Sequence, residues 1–245
     1  ELLVRDFGDG QDRAKFITIH KGFDGDDFDA VPEKRDDKFT LTYAGAFYFS
    51  VGSSFKKSAG DEVMRTYSPL YFFEALSKLS ARRPDLRERL CVKFMGQLGH
   101  GFDPIIKKMG LEDVIHRLGF LDYEEHLTIL KSSTALLLVL SRGEKSRGWI
   151  PSKLFSYMGS GNPVLAMVPE GEVRDIIERA QAGIFADPDD VDGMVHAIET
   201  LYDEWFTVGK RFKRKEDEIS KFERRALTKR LATVLDRIDE GSGRT

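Results

Sequence analysis

A proline, a serine and a lysine, Pro151-Ser152-Lys153, stand where a polar loop is predicted to run into a helix. An all-apolar run, Ala135–Leu140, precedes them, and the polar or flexible residues 141–150 lie between. Free backbone N–H groups at a helix start, with a lysine in the first turn, suit the binding of a phosphate. The helix dipole disfavours a lysine at this position, and an anionic ligand would relieve that electrostatic cost. The alternative interpretation is a loop in water with ordinary solvated charges.

Other candidate residues follow predicted strands. Gly45 lacks a side chain, so a ligand phosphate could approach its backbone; the alternative is a plain turn glycine. Phe120 and Leu121 could offer backbone groups and an apolar wall to a nucleotide base, or could simply pack at a strand end. Asp122 is interpreted as a helix cap rather than a ligand group, because Glu125 follows it at capping-box spacing.

These candidates depend on a predicted sheet, because short apolar runs alternate with helix-length amphipathic segments from residue 39 onward. A run that is apolar at every position, such as Ala135–Leu140, is typical of a strand covered on both faces. The alternation predicts an α/β fold, a doubly wound, Rossmann-like parallel sheet with helices on both faces. Ligands bind such sheets where strands end and loops enter helices. The predicted strands are Phe39–Ala44, Leu90–Met95, Val114–Leu118, Ala135–Leu140, Val164–Val168 and Gly183–Ala186.

Three dipeptides mark predicted helix starts: Ser68-Pro69, Asp103-Pro104 and Asp187-Pro188. In each, the polar residue is expected to cap the helix and the proline to take the first helical position. Together with Asp122, these starts place helices between successive strands.

Two flanks fall outside the alternation, so the Rossmann-like domain is predicted to span residues 39–208. Residues 1–38 are rich in Asp and Gly and end in a linker-like stretch. Residues 209–240 carry an apolar stripe at helical spacing, which predicts a C-terminal helix, and residues 241–245 are expected to form a disordered tail. The chain begins at Glu1, with neither a methionine nor a signal peptide, and is therefore expected to be a piece of a longer protein.

Composition narrows the classes of function. The 245 residues carry 38 Lys plus Arg and 41 Asp plus Glu, a net charge of −3 that does not indicate a nucleic-acid binder. The single cysteine, Cys91, excludes an intrachain disulfide and a thiolate metal cluster and favours a cytoplasmic compartment. No histidine or carboxylate shows metal-ligand spacing, so no metal site is expected. The basic run Lys210–Lys215 could contact an anionic membrane surface, but the acidic run Glu216–Glu218 follows at once and favours a solvated surface.

One segment, Ile150-Pro-Ser-Lys-Leu-Phe-Ser-Tyr-Met-Gly-Ser-Gly-Asn-Pro-Val-Leu-Ala166, resembles the nucleotide-sugar segment of the family 4 glycosyltransferases. The family pattern is Pro-Ser-Lys-x-x-Glu-Tyr-x-Ala-x-Gly-x-Pro-Val. The likeness extends over roughly residues 16–240. Its other parts are Thr42-Tyr-Ala-Gly-Ala-Phe-Tyr48, Phe94-Met-Gly96, Leu118-Gly-Phe-Leu-Asp-Tyr-Glu-Glu125, Gly171-Glu-Val-Arg-Asp-Ile-Ile177, Ala182-Gly183 and Asp187-Pro-Asp-Asp190.

The resemblance implies one half of a GT-B fold: a C-terminal domain that binds a nucleoside-diphosphate sugar and needs no further cofactor. Residues 1–38 would end a missing N-terminal domain and form the interdomain linker, and the last helix would pack back toward that domain. The whole enzyme would transfer the sugar, with retention, to a saccharide or lipid-linked acceptor in polysaccharide biosynthesis. Its catalytic residues are expected in the absent domain, so this piece alone would not turn over. The implied substrate-binding residues are Gly45, Phe120, Leu121, Pro151, Ser152, Lys153 and Ser156.

The chain departs from the family pattern where the family commonly has two glutamates, the second of which binds ribose. Gly148 and Ser156 occupy those positions, and Ala46 stands where a basic residue often follows the first loop glycine. The basic residues expected to replace it are Lys56, Lys57 or Arg65. These departures leave two alternatives open: a degenerate, non-catalytic nucleotide-binding or scaffold module, and a GT-B sugar-nucleotide epimerase. The Pro-Ser-Lys segment argues against the epimerase.

Overall fold

The computed structural model describes residues 16–32, 37–47, 68–143, 146–207 and 212–242. Strands and helices alternate along these residues as predicted. The strands are β1 (Phe39–Phe47), β2 (Leu90–Leu98), β3 (Ile115–Gly119), β4 (Ala135–Val139), β5 (Val164–Met167) and β6 (Gly183–Ala186). The helices are α1 (Gly25–Asp29), α2 (Leu70–Arg82), α3 (Pro84–Arg89), α4 (Asp103–Lys108), α5 (Tyr123–Ser132), α6 (Lys153–Gly159), α7 (Glu172–Arg179), α8 (Val191–Thr207), α9 (Glu216–Ser220) and α10 (Arg224–Ser242).

The strands form one parallel sheet in the order β3-β2-β1-β4-β5-β6. The chain moves outward from β1 through β2 to β3 and then returns to β4 on the other side of β1. The strand order therefore reverses between β1 and β4, and a crevice opens there outside the carboxyl ends of the strands. This arrangement confirms the predicted Rossmann-like sheet.

Strands β1 and β4 pair only briefly, which lengthens this crevice. Their register covers Leu41↔Ala135 and Thr42↔Leu136, whereas β1 stays paired with β2 as far as Phe47↔Leu98. The carboxyl end of β1, residues 43–47, therefore has β2 on one side and lies beyond the pairing with β4 on the other.

Side chains alternate between the two faces of the sheet and build one apolar cluster on each. Phe39 and Leu41 belong to the cluster covered by α2 and α8, and Ala44 belongs to the cluster under α5, α6 and α7. Strand β4 contributes Leu137 to the first cluster and Leu136 to the second. Its all-apolar sequence follows from burial on both sides, and the predicted helices on both faces are confirmed.

Within the described residues, the sequence predicts each of the six strands of the sheet, with differences at the strand ends. Strands β1 and β2 both run further than predicted, to Phe47 and Leu98, because their pairing with each other continues that far. Strand β4 ends at Val139 and β5 at Met167, each one residue before its predicted end.

One of the predicted helix caps forms, at Asp122, and the one predicted at Ser68 is displaced by one residue. Asp122 caps α5, where its Oδ1 accepts a hydrogen bond from the Glu125 N–H at 2.8 Å. Ser68 Oγ accepts a hydrogen bond from the Leu70 N–H at 3.3 Å. Pro69 precedes α2 as its cap residue and does not take the first helical position.

The caps predicted at Asp103 and Asp187 are wrong. Helix α4 begins at Asp103 itself, whose carboxylate pairs with Arg117. At the start of α8 the capping group is the Asp190 carboxylate, which accepts a hydrogen bond from the Gly193 N–H at 2.8 Å. In both cases the predicted carboxylate is close to a helix start, and arginine competes for it, as Arg142 and Arg174 do for Asp187.

The segments that enter and leave the sheet region are joined to each other. Phe23 forms a parallel bridge with Glu223. The Phe23 N–H donates to the Phe222 carbonyl at 3.2 Å, and the Arg224 N–H donates to the Phe23 carbonyl at 2.9 Å. Residues 16–24, which precede α1 and are called the entry segment below, are therefore held beside the start of α10.

The predicted C-terminal helix over 209–240 is divided in two, since α9 and α10 are separated by residues 221–223. Helix α10 reaches Ser242, so residues 241 and 242 are helical and do not belong to the predicted disordered tail. The remaining predictions for residues 1–15, 33–36, 208–211 and 243–245 lie outside the described residues. Each helix in the described part of the chain is too short or too polar to cross a bilayer.

Candidate functional site

The predicted helix start at Pro151-Ser152-Lys153 lies at the crevice between β1 and β4. Pro151 is buried, Ser152 is exposed, and α6 begins at Lys153, as predicted. Lys153 and Tyr157 are four residues apart and therefore project from one face of the helix. Both reach the carboxyl end of β1, where they contact or lie beside residues 43–45.

The Lys153 ammonium lies over an aromatic ring. Its Nζ is 4.0 Å from the centroid of the Tyr43 ring, which provides a cation–π attraction. Burial lowers the pKa of Lys153 from 10.5 to about 8, because desolvation disfavours the charged form. Among the described residues, no carboxylate lies within 4.0 Å of this ammonium. The charge is therefore half-buried without a counter-ion from that part of the chain.

Gly45 makes room for this ammonium. A Cβ at Gly45 would lie 2.6 Å from Lys153 Nζ and 3.2 Å from the Tyr43 hydroxyl. Gly45 also has a φ of +145°, which a residue with a side chain rarely adopts. Its partner in β2 is Gly96, where a Cβ would lie 2.4 Å from the Gly45 carbonyl oxygen. The absence of a side chain at Gly45 therefore leaves the space that the Lys153 ammonium occupies.

Tyr157 connects α6 to the same strand. Its side chain is fully buried, and its hydroxyl accepts a hydrogen bond from the Ala44 N–H at 2.8 Å. Sequence reasoning missed both Tyr157 and Tyr43. Two signals for Tyr157 were available: the tyrosine of the family pattern falls at this position, and the four-residue spacing from Lys153 places the two side chains on one helix face.

The other predicted site residues lie at different distances from Lys153. Ser156 is half-buried and lies one helical turn after Lys153. Ser152 Oγ accepts a hydrogen bond from Lys21 Nζ at 3.0 Å, so the entry segment reaches the start of α6. Phe120 is 81% exposed and follows the edge strand β3, two strands and about 10 Å from β1. Leu121 is half-buried against the cluster beneath α5 and α6.

A second opening lies beside the loop between β4 and α6. It has a volume of about 500 Å³ and is lined by Gly171 and by side chains of both charges, Arg147, Glu170, Arg174, Asp175 and Glu178. Gly171 packs closely against the Arg147 backbone, since a Cβ there would lie 2.5 Å from the Arg147 carbonyl oxygen. Gly148, which replaces the first family glutamate, is exposed next to Arg147.

Further predictions concern the basic residues after β1, the cysteine and a metal site. Lys56, Lys57 and Arg65 lie outside the described residues. Cys91 is buried. Within the described ranges, no three His, Cys, Asp or Glu side chains cluster in a way that could hold a metal ion.

A family model described as glycosyl transferases, group 1, matches residues 64–204, more than half of the chain. No curated protein matches the chain significantly in sequence.

Solved structures share the fold at low sequence identity. The apo form of the lipopolysaccharide outer core galactosyltransferase WaaB is 14% identical with a TM-score of 0.63, covering 95% of this chain and 58% of that one. HepE from Anabaena in complex with UDP is 15% identical with a TM-score of 0.63, covering 94% and 60%. The C-terminal domain of LpcC, a glycosyl transferase group 1 family protein from Francisella tularensis, is 16% identical with a TM-score of 0.58, covering 83% and 100%. The chain thus spans 58% of WaaB and 60% of HepE, and its fold is that of one half of a GT-B glycosyltransferase.

Proposed function

Because the chain belongs to the group 1 family of glycosyl transferases, we propose that it forms the donor-binding half of a GT-B enzyme and binds a nucleoside-diphosphate sugar. The observation that carries this proposal is the Lys153 ammonium, half-buried at the crevice beside Gly45 without a carboxylate partner in the described part of the chain. A diphosphate would supply the missing counter-charge through charge-assisted hydrogen bonds.

The strand order gives the rest of a nucleotide a direction along the edge of the sheet. The carboxyl ends of β1, β2 and β3 lie side by side, so a ligand could extend from Lys153 across β2 toward Phe120 and Leu121. The exposed ring of Phe120 offers a face on which a base can stack. Ser156 lies one turn from Lys153, where a ribose hydroxyl could be reached through water.

In the proposed reaction, the bond between the anomeric carbon and the β-phosphate oxygen breaks, and the anomeric carbon bonds, with retention, to a hydroxyl oxygen of a saccharide or lipid-linked acceptor. The proton of that hydroxyl leaves with the nucleoside diphosphate. Negative charge develops on the leaving diphosphate, and the Lys153 ammonium stabilises it from a position fixed before the reaction. The acceptor and the groups that act on the sugar are assigned to the remainder of a two-domain enzyme. This half alone is therefore expected to bind donor nucleotides without turnover.

The test is a binding panel. The chain would be titrated by calorimetry and by NMR with UDP, GDP and ADP and with the corresponding nucleosides. One diphosphate is expected to bind in the millimolar range or tighter, because half of an enclosing cleft is present. It is expected to bind more strongly than its nucleoside, because only the diphosphate supplies a counter-charge to Lys153.

Absence of binding for every nucleotide at millimolar concentration would contradict the proposal. That result would favour the alternative of a degenerate, non-catalytic module. Gly148 and Ser156 support this alternative, because neither supplies the carboxylate that the family commonly has at its position.

A further inference from the structure

We propose that the Tyr157 hydroxyl is a positioning group for the phosphate site: it fixes the end of β1 so that Gly45 and Lys153 face each other. This inference rests on the proposed function, because it concerns the same site. Tyr157 itself, fully buried, would not touch the ligand.

The first step concerns the direction of the backbone N–H groups in β1. In a strand, alternate N–H groups point to the same neighbouring strand. The Thr40 N–H donates to Thr134 Oγ1 on the β4 side, and Thr42 is the last residue of β1 that pairs with β4. Ala44, two residues further, faces the same side but lies beyond that pairing. Its N–H would be a buried donor at the point where the strands separate.

The second step is the acceptor that this donor finds. The Tyr157 hydroxyl lies 2.8 Å from the Ala44 nitrogen and takes the place of the strand carbonyl. A buried N–H without an acceptor is destabilising, so the strand end would be expected to move if the hydroxyl were absent. Because the acceptor comes from α6 and not from β4, the sheet opens into a crevice without leaving this donor unpaired.

The third step connects the hydrogen bond to the ammonium. Tyr157 and Lys153 project from the same face of α6, and they contact consecutive parts of β1: Tyr157 binds the Ala44 N–H, and Lys153 lies against Gly45 and the Tyr43 ring. Helix α6 and β1 are thus held at two points one helical turn apart. Loss of the hydroxyl would release one of them and let the distance between Lys153 Nζ and Gly45 vary.

The test uses Tyr157→Phe, which keeps the buried ring and removes only the hydroxyl. The variant is expected to lose about five- to tenfold in affinity for the diphosphate that binds the wild type, and less than twofold for the matching nucleoside. Hydrogen exchange at the Ala44 amide is expected to accelerate. Tyr202→Phe is the matched control, because Tyr202 is also buried but lies on α8 in the other apolar cluster, and it should leave both affinities unchanged.

A double-mutant cycle separates positioning from general destabilisation. If Tyr157 acts through Lys153, adding Tyr157→Phe to Lys153→Met should cause no further loss of diphosphate affinity. Additive losses, equal losses for diphosphate and nucleoside, or an unchanged diphosphate affinity in Tyr157→Phe would each overturn the inference while leaving the proposed function standing. A wild-type chain that binds no nucleotide overturns the proposed function itself, whatever Tyr157→Phe does.

Discussion

Replacing Lys153 with methionine is expected to stabilise the protein at pH 7 while weakening its binding of nucleoside diphosphates. Methionine keeps an apolar chain against the Tyr43 ring and removes the charge. Burial lowers the pKa of Lys153 from 10.5 to about 8. At 1.36 kcal/mol per pKa unit, this shift corresponds to about 3 kcal/mol of destabilisation when Lys153 is charged in the folded protein. The cation–π contact with Tyr43 offsets about 1–2 kcal/mol of this. The net gain expected in the free energy of unfolding is about 1–2 kcal/mol.

The sign of the pH dependence follows from the same shift. The pKa of Lys153 in the folded protein lies below its value in the unfolded chain, so the folded state releases the proton first. The destabilisation is fully present below pH 8 and is relieved as the pH rises from about 8 toward 10.5. The advantage of Lys153→Met over the wild type should therefore be largest at pH 7 and should shrink by pH 10.

The assay is urea denaturation at both pH values, with calorimetric titration of the diphosphate at pH 7. Affinity for the diphosphate should fall at least tenfold in Lys153→Met, since a charge-assisted contact contributes about 1.5–3 kcal/mol. Lys229→Met, an exposed lysine on α10, is the control and should change neither quantity. A Lys153→Met protein that is less stable than the wild type at pH 7 would show that the ammonium has a partner. A gain that does not change with pH would refute the lowered pKa.

Three other substitutions address neighbouring parts of the site. Gly45→Ala should lower stability by about 1–2 kcal/mol and diphosphate affinity about tenfold, because its Cβ would meet Lys153 Nζ; Gly110→Ala, at a positive φ with open space around it, should affect stability alone. Ser156→Glu should tighten nucleotide binding by about 1–2 kcal/mol and increase the preference for ribonucleotide over 2′-deoxynucleotide; an unchanged preference would mean that the ribose lies elsewhere. Phe120→Ala should change the free energy of unfolding by less than about 0.5 kcal/mol, because the ring is exposed. In titrations of both ligands, it should lower the affinity for nucleotides but not the affinity for pyrophosphate. An equal loss of both affinities would exclude base stacking.

The sheet could be predicted from the sequence because a strand that is buried on both faces appears as a continuous run of apolar residues. Strand β4 is apolar at each position because its first four residues are buried and Val139 is partly buried. The strand ends were less predictable, since Phe47 remains in β1 only because Leu98 in β2 pairs with it, a contact between distant residues. Helix starts depend in the same way on competing partners, and Arg117 removes Asp103 from capping.

The site was predicted in part for a similar reason. Lys153 and Gly45 were identified separately, one from a helix start and one from a strand end, but their contact depends on the fold. The role of Tyr157 depends on a hydrogen bond between residues 113 positions apart in the sequence. A tyrosine in an apolar helix segment ordinarily indicates core packing, and only the separation of β1 from β4 gives its hydroxyl a specific partner.

The bridge between Phe23 and Glu223 also determines how mechanical load would travel through this domain. Traction between the entry segment and α10 would load the two backbone hydrogen bonds of the bridge, together with the ion pairs that join Asp24 to Arg224 and Asp26 to Arg225, before it reached the sheet. The Phe23 ring lies directly against Gly159, the last residue of α6, where no Cβ could fit. A pull on the entry segment would therefore act as torque on the far end of the helix that begins at Lys153, and the hydrogen bond from the Ala44 N–H to the Tyr157 hydroxyl would pass that torque to the end of β1.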